Sequence, residues 1–167
     1  QRQMCIRDRR KTPVASFYAN LLTFKNYYEN KWFPYSMPIS DIYGLRQALE
    51  NIQNDPDMLK RHAEIAKKTR EALTRSGLKL YAENGYSNTV TVFSIPGGVT
   101  AEQILTAMRQ DYNIMLAGSF DVMAGEVIRI GHMGYNCTEE NMKETIDALG
   151  KTLLKLGVAL KEPLRYE

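Results

Sequence analysis

Two short runs of β-branched residues most constrain how this chain of 167 residues folds. They are TVTVFSI at 89–95, which Pro96-Gly97-Gly98 ends, and EVIRIGH at 126–132. Such runs favour strands because branching at Cβ suits the pleated surface of a sheet and restricts side chains in a helix. Shorter apolar runs at 78–81 and 114–117 predict two further strands.

Helical patterns lie around these strands. Thr100 and Gln103 form a capping box that predicts a helix through Gln110, and Thr138 begins a final helix that Gly157 ends. The other predicted helices cover 16–29, 40–52 and 57–75. This order of elements predicts an α+β fold, a small and mostly antiparallel sheet with helices packed on one face, preceded by helices that belong to a connection from a larger domain.

The net charge of +3 is concentrated at the amino terminus. Residues 1–11 carry five basic side chains and one acidic side chain, so the remainder of the chain is close to neutral. A basic arm for nucleic acid is one interpretation. The string QRQMCIRDR instead resembles translated sequencing-adapter read-through, and we therefore expect residues 1–9 to be a non-native tail and no nucleic-acid partner.

The cysteines and histidines do not have the spacing of metal ligands. Cys5 and Cys137 lie in no C-x-x-C motif, which predicts no metal site and a reducing, cytoplasmic location. Cys137 is interpreted as a partly buried bystander, and His132 as a candidate for a supporting role beside the strand at 126–132. No apolar run approaches the roughly 20 residues of a membrane span, so we expect no membrane partner. Core positions are assigned to Met108, Tyr112, Met115 and Met123.

Arg129 is the candidate binding residue of the strand at 126–132. Side chains alternate between the two faces of a strand, so Ile128 and Ile130 should face the helices and Arg129 the opposite side. A guanidinium offers a planar fork of donors that matches a carboxylate or phosphate. An exposed or ion-paired arginine on an open sheet face is the alternative interpretation. Glycines on both sides of the strand, such as Gly118 and Gly131, allow close approach of a backbone or ligand.

Two segments carry a resemblance to a known family. Residues 116–141, LAGSFDVMAGEVIRIGHMGYNCTEEN, resemble the C-terminal signature of class V pyridoxal-phosphate-dependent aminotransferases, the alanine–glyoxylate and serine–pyruvate group. Residues 34–46, PYSMPISDIYGLR, resemble the same family's connection into its C-terminal domain. The resemblance implies that 10–41 is a linking helix and extended segment from a missing large domain, and that 42–167 is the small C-terminal domain.

The resemblance also implies roles for individual residues. Arg129 aligns with the family arginine that binds the α-carboxylate of the substrate. Ser36 takes the place of a threonine that contacts the phosphate of pyridoxal 5'-phosphate, the cofactor, in the other subunit of a homodimer. Tyr35 is the candidate to replace a family tyrosine that meets Phe33 here. The implied reaction transfers an amino group between an alanine- or serine-like amino acid and a glyoxylate- or pyruvate-like 2-oxo acid.

The chain departs from the family pattern in two places. Ser119 stands where a second glycine is usual in the loop before the arginine strand. No lysine matches the family's Schiff-base lysine, since Lys25 and Lys31 are interpreted as solvated, and we therefore expect the fragment alone to be inactive. The alternative is a non-catalytic α+β domain that binds a small molecule or a partner, because 89–156 has the element order of half a ferredoxin-like module.

Overall fold

The computed structural model describes residue 9 and residues 11–167 of the chain. The predicted non-native tail at 1–9 lies outside the described residues apart from Arg9. The chain divides into two compact units, one that ends at Asn51 and one that runs from Ile52 to Glu167. The domain boundary predicted at residue 42 falls inside the first α-helix and stays a prediction.

The helix predicted over 16–29 is wrong. This segment contains only a four-residue 3₁₀ turn, Leu21–Phe24, followed by turns in which Asn26 and Lys31 adopt positive φ angles of 57° and 52°. The spacing of the aromatic residues suggested a helical stripe. In the structure, their rings instead pack into a cluster around Tyr35. Its members are Phe17, Tyr18, Phe24, Phe33 and Tyr35, with ring centroids between 5.2 and 6.3 Å from that of Tyr35.

Helix α1, Ile39–Gln53, follows this cluster and confirms the helix predicted over 40–52. Its apolar side chains recur at helical spacing but none of its residues is buried. The side chains that form this exposed stripe, here called the α1 stripe, are Ile42, Leu45, Leu49 and Ile52. An amphipathic face of this kind is normally covered by another element.

The second unit is built on a two-stranded antiparallel sheet. Strand β1, Val90–Ser94, pairs with β2, Val127–Gly131, in a register that places Val92 opposite Arg129. The strands predicted at 78–81 and 114–117 each reduce to a single bridge, Leu80 with Phe93 in β1 and Ala117 with Arg129 in β2. The sheet is therefore small and wholly antiparallel, and each edge is extended by one bridged residue.

Three helices accompany this sheet and complete the predicted α+β arrangement. They are α2 (Met58–Arg75), α3 (Ala101–Tyr112) and α4 (Glu139–Lys155). Helix α2 contacts β1 and α4, while α3 packs against α4. Phe93, Ile128 and Ile130 from the sheet lie fully buried in the core that these helices cover. Helices packed on one side of an antiparallel sheet bury the apolar face of the sheet, and they do not cover its other face.

Two helix starts follow the sequence signals, whereas the Asp57 side chain makes no capping hydrogen bond at the start of α2. The Thr100 hydroxyl accepts a hydrogen bond from the Gln103 amide at 3.2 Å, and the Gln103 side chain accepts one from the Thr100 amide at 2.8 Å. Thr138 accepts from the Asn141 amide at 3.1 Å at the start of α4. These bonds satisfy amide groups that have no partner in the first turn of a helix.

The core assignments of the methionines are correct only in part. Met108 is fully buried in α3, whereas Met115 is 83% exposed in the segment that leads to Ala117. Met115 follows the left-handed turn at Asn113 that ends α3, so it is not on the buried face of that helix. Within the described part of the chain, no helix combines the length and apolarity needed to cross a bilayer.

Candidate functional site

Arg129 lies in the middle of β2 with its side chain on the face opposite the helices. Its neighbours Ile128 and Ile130 are fully buried, while Arg129 itself is partly exposed. The alternation predicted from the sequence is confirmed for Ile128, Arg129 and Ile130, but Val127, which shares the side of Arg129, is only 4% exposed, so this side of the strand is partly covered. A β-strand can place a charged side chain on the open face without disturbing the core, because successive side chains point to opposite sides.

The segment from Ala117 to Phe120 holds the Arg129 side chain along one edge. The backbones of Ala117 and Arg129 exchange two hydrogen bonds of 2.7 and 3.2 Å. The Arg129 Nε donates to the Gly118 carbonyl oxygen at 2.7 Å, and the Phe120 ring centroid lies 5.9 Å from the Arg129 Cζ. The two terminal nitrogens, Nη1 and Nη2, make no hydrogen bond to any residue that the structure describes.

Arg61 shows what a structural arginine in the same unit does. Its Nη1 donates to the Asp55 carboxylate at 3.0 Å, and its Nε donates to the Cys137 carbonyl at 3.1 Å. The hydrogen bond from Arg61 lowers the pKa of Asp55, which keeps this carboxylate charged. Arg129, by contrast, forms no ion pair with a carboxylate among residues 11–167. The ion-paired alternative therefore describes Arg61 and not Arg129.

Phe120 is the residue that sequence reasoning missed. It is 70% exposed, and the residue after it, Asp121, has a φ of 52° in the left-handed region. Short polar residues such as Asp tolerate this region better than bulky ones. An aromatic residue in a loop between Gly118 and Gly125 was the available signal, but a sequence does not show that its ring lies beside a particular guanidinium.

Tyr35 and Ser36 lie in the first unit, in the extended segment that follows the aromatic cluster. The Tyr35 hydroxyl donates to the Phe17 carbonyl oxygen at 2.9 Å, and its ring stacks on Tyr18 at 5.2 Å. Tyr35 thus anchors the local fold in this structure. Ser36 is exposed, and its hydroxyl has no partner within the residues that are described, so it is available to a ligand.

His132 does not lie on the Arg129 face, so it makes no direct contribution to that face, and a supporting role near the site stays a prediction. It follows β2 on the core side, is fully buried, and its Nε2 lies 2.8 Å from the Thr91 hydroxyl. Burial lowers its pKa because the charged imidazolium loses its hydration. Cys137 is also fully buried, and burial raises the pKa of its thiol despite the nearby Arg61. A protonated, enclosed thiol is a poor nucleophile, as expected for a bystander.

The clear cavities of the second unit lie away from Arg129. One of about 470 Å³ is formed by α4 and the C-terminal segment around Leu164 and Tyr166. Another of about 340 Å³ lies between Asn113, Gly131 and Asn141. Arg129 lines neither cavity. The first cavity has basic side chains of its own, Lys143, Lys151 and Arg165, together with the acidic Asp147 and Glu167.

Comparison with known proteins identifies relatives over most of the chain. An uncharacterized aminotransferase of Methanocaldococcus jannaschii is 36% identical over 152 residues, which cover 89% of this chain and 39% of that protein. A serine–glyoxylate aminotransferase of Methylorubrum extorquens is 35% identical over 134 residues, which cover 76% of this chain and 32% of that protein. No protein-family model matches the sequence.

Solved structures have the same fold. The alanine–glyoxylate aminotransferase of Nostoc sp. matches with a TM-score of 0.78 and 31% identity, over 87% of this chain and 40% of that chain. The ureidoglycine–glyoxylate aminotransferase of Bacillus subtilis matches with a TM-score of 0.86 over 98% of this chain and 43% of that chain, at 24% identity, which supports the fold. The chain thus spans about two-fifths of the length of the relatives it matches.

Proposed function

We propose that this chain supplies the part of an aminotransferase that binds the substrate carboxylate. The premise is that the chain belongs to the class V aminotransferases of the alanine/serine–glyoxylate group. The observation that carries the proposal is Arg129, a cation on the open face of β2 with no carboxylate partner in the described residues. Because the chain spans about two-fifths of the length of these relatives, the activity of a whole enzyme is itself part of the proposal.

The contacts of Arg129 suit a carboxylate of small substrates. The bond from Nε to the Gly118 carbonyl occupies one edge of the guanidinium, and the Nη1–Nη2 edge remains for two parallel hydrogen bonds to a carboxylate. An arginine is protonated at every physiological pH, so binding through it does not depend on a proton at the site. Such a fork fixes the orientation of the bound acid as well as its position.

The substrates that we propose are an alanine- or serine-like amino acid and a glyoxylate- or pyruvate-like 2-oxo acid. Both kinds carry a carboxylate on the carbon that bears the amino or oxo group, so one arginine can serve both halves of the transfer. The Methylorubrum extorquens relative is a serine–glyoxylate aminotransferase, and the Nostoc structure is an alanine–glyoxylate aminotransferase. These names support the substrate class.

Ser36 fits a contact to the phosphate of pyridoxal 5'-phosphate. Its hydroxyl is exposed and without a partner in the described residues, and a hydroxyl donates well to a phosphate oxygen. Tyr35, also predicted to bind the cofactor, would have to release the Phe17 carbonyl before its hydroxyl donates to a phosphate. When bound, pyridoxal phosphate supplies the carbonyl group and the electron sink of the reaction.

We further propose a homodimer in which Ser36 serves the site of the other subunit, and a cytoplasmic location, as the sequence predicts. We expect no turnover from the 167-residue chain alone, because none of its lysines matches the family's cofactor lysine. Lys25 and Lys31 are both exposed, and Lys31 lies 4.2 Å above the Tyr28 ring.

Substitution of Arg129 in the whole protein that contains this chain tests the proposal. Arg129→Gln removes the charge but keeps a polar side chain, so the KM values for the amino acid and for the 2-oxo acid should both rise about 100-fold, the effect of losing hydrogen bonds to a charged group. The visible absorbance of the bound cofactor should persist. Steady-state kinetics with both substrates, and the absorbance spectrum, provide the measurements.

Arg109→Gln is the matched control, because Arg109 is an exposed arginine in the last turn of α3 and its loss removes the same charge elsewhere. Its KM values should stay within about twofold of the unsubstituted protein, as for most surface changes. Equal KM values in Arg129→Gln and the unsubstituted protein would exclude Arg129 from the site. A whole protein that never binds pyridoxal phosphate would favour the non-catalytic binding domain instead.

A further inference from the structure

We propose that Phe120 is a positioning residue for the carboxylate site, and that its ring sets the orientation of the Arg129 guanidinium. The inference rests on the proposed function of Arg129. It starts from the ring centroid of Phe120, which lies 5.9 Å from the Arg129 Cζ, and from the high exposure of this phenylalanine. A cation this close to an aromatic ring is attracted by the electron-rich face of the ring.

The backbone next to Phe120 is tied to β2 and keeps the ring in place. Ala117 pairs with Arg129 through two backbone hydrogen bonds, and the Gly118 carbonyl takes the Nε proton at 2.7 Å. The chain then reverses at Asp121, with its φ of 52°. The hydrogen bond fixes one end of the guanidinium, but the group can still swing about that end. The ring of Phe120 is the contact that limits the swing.

An exposed phenylalanine has an energetic reason to be here. Apolar surface in water is unfavourable, and Phe120 buries little of its ring within the residues that the structure describes. Beside a guanidinium, the same ring displaces water from one face of the cation and lowers the local dielectric, which strengthens attraction to a carboxylate. The ring therefore favours binding of an acid to Arg129 without touching the reacting atoms.

The first test is kinetic. Phe120→Leu keeps an apolar side chain and removes the π face, so in the whole protein the KM for both acids should rise about two- to fivefold, the range of exposed cation–π contacts. The kcat should stay unchanged, because the carboxylate contact is equally present in the ground state and the transition state. Phe120→Tyr keeps the ring and should restore the original KM.

Val122→Ala is the matched control. Val122 is 92% exposed in the same loop, and it carries no ring that could lie over the guanidinium. Its KM values should equal those of the unsubstituted protein. A rise in KM with Val122→Ala as large as with Phe120→Leu would mean that any change in this loop disturbs the site, and would overturn a specific role for the ring.

The second test does not use activity. In protein labelled with isotopic arginine, the Nε proton of Arg129, assigned by its loss in Arg129→Gln, should exchange slowly with water because it is bonded to Gly118. Phe120→Leu should speed this exchange about two- to fivefold, while Phe120→Tyr and Val122→Ala should not. Unchanged exchange in Phe120→Leu would overturn the proposal.

The two tests separate the inference from the function on which it rests. Faster exchange in Phe120→Leu, together with an unchanged KM in Arg129→Gln, would leave the positioning intact and contradict the carboxylate-binding role of Arg129. A raised KM in Arg129→Gln with unchanged KM and exchange in Phe120→Leu would keep the function and overturn the role of Phe120.

Discussion

At the scale of single residues, the environment of each side chain separates groups that look alike in the sequence. Arg61 and Arg129 are both arginines inside regular elements, yet Arg61 is paired with Asp55 and Arg129 has no carboxylate partner in the described residues. His132 is buried beside Thr91, and its Nδ1 has no hydrogen-bond partner in the part of the chain that the structure describes. A neutral imidazole in such a place makes the stability of the fold depend on pH.

The pH dependence has a definite sign. Burial is the largest cause that lowers the pKa of His132 in the folded chain below its usual value near 6.5, and the positive charge of Arg70 acts in the same direction. The unfolded chain therefore binds a proton more readily, and folding is favoured above about pH 6.5 and weakened as the pH falls below it. The free energy of unfolding of the 167-residue chain, measured by urea denaturation, should decrease between pH 7.5 and 5.5.

The variant His132→Asn isolates this contribution, since asparagine does not titrate. Its overall stability should be lower, but the change in unfolding free energy over the same pH interval should shrink. A pH dependence that is identical in His132→Asn and the unsubstituted chain would contradict the assignment.

At the scale of elements, helices are present where several sequence signals predict them together. A helix is absent where the spacing of residues was the only signal. Helix α3 has a capping box at its start, an apolar face that includes Ile104 and Met108, and a left-handed turn at Asn113 that ends it. The segment at 16–29 has aromatic residues at similar spacing, but it has no capping box and its 3₁₀ turn contains no buried residue. Short helices depend on tertiary packing for most of their stability, so spacing alone does not maintain one.

The capping box of α3 provides a measurable contribution to stability. Thr100→Ala removes the hydroxyl that accepts from the Gln103 amide, and should lower the free energy of unfolding of the chain by about 1 kcal/mol. Thr74→Ala is the control, because its hydroxyl in α2 bonds only to carbonyls of the preceding turn. That change should be close to neutral. Equal losses in the two variants, in urea denaturation, would contradict a special role for the cap.

At the scale of the whole molecule, the α1 stripe is the unusual surface. Its four apolar side chains at helical spacing are between 47% and 60% exposed. Single exposed apolar residues are ordinary, but a contiguous patch attracts other apolar surfaces. The relatives are more than twice as long as this chain, so they contain residues that these 167 do not match.

The exposed stripe predicts the solution behaviour of the 167-residue chain. It should bind an apolar fluorescent dye and self-associate, and replacement of Leu45 and Leu49 by glutamine should reduce both effects without loss of helix content. Leu154→Gln is a matched control, because Leu154 is as exposed as Leu45 but stands beside Gly150 and Lys151 on its helix. A chain that stays monomeric and binds no dye would contradict the prediction, and light scattering measures the association.

The sequence by itself determined the elements whose signals are local. Strands β1 and β2, the caps at Thr100 and Thr138, and the outward position of Arg129 follow from branching at Cβ, side-chain hydrogen bonds and alternation along a strand. These depend on neighbours within a few residues. The resemblance of two segments to a family then identified Arg129 as the residue of interest.

Only the tertiary structure decided the remaining points. Phe120 lies beside Arg129, Tyr35 bonds to Phe17, and His132 faces the core, because partners distant along the chain supply these contacts. The segments at 78–81 and 114–117 became single bridges for the same reason, since pairing depends on the neighbouring strand. A sequence pattern predicts which face of an element a side chain occupies. The packed fold determines which residues contact that side chain.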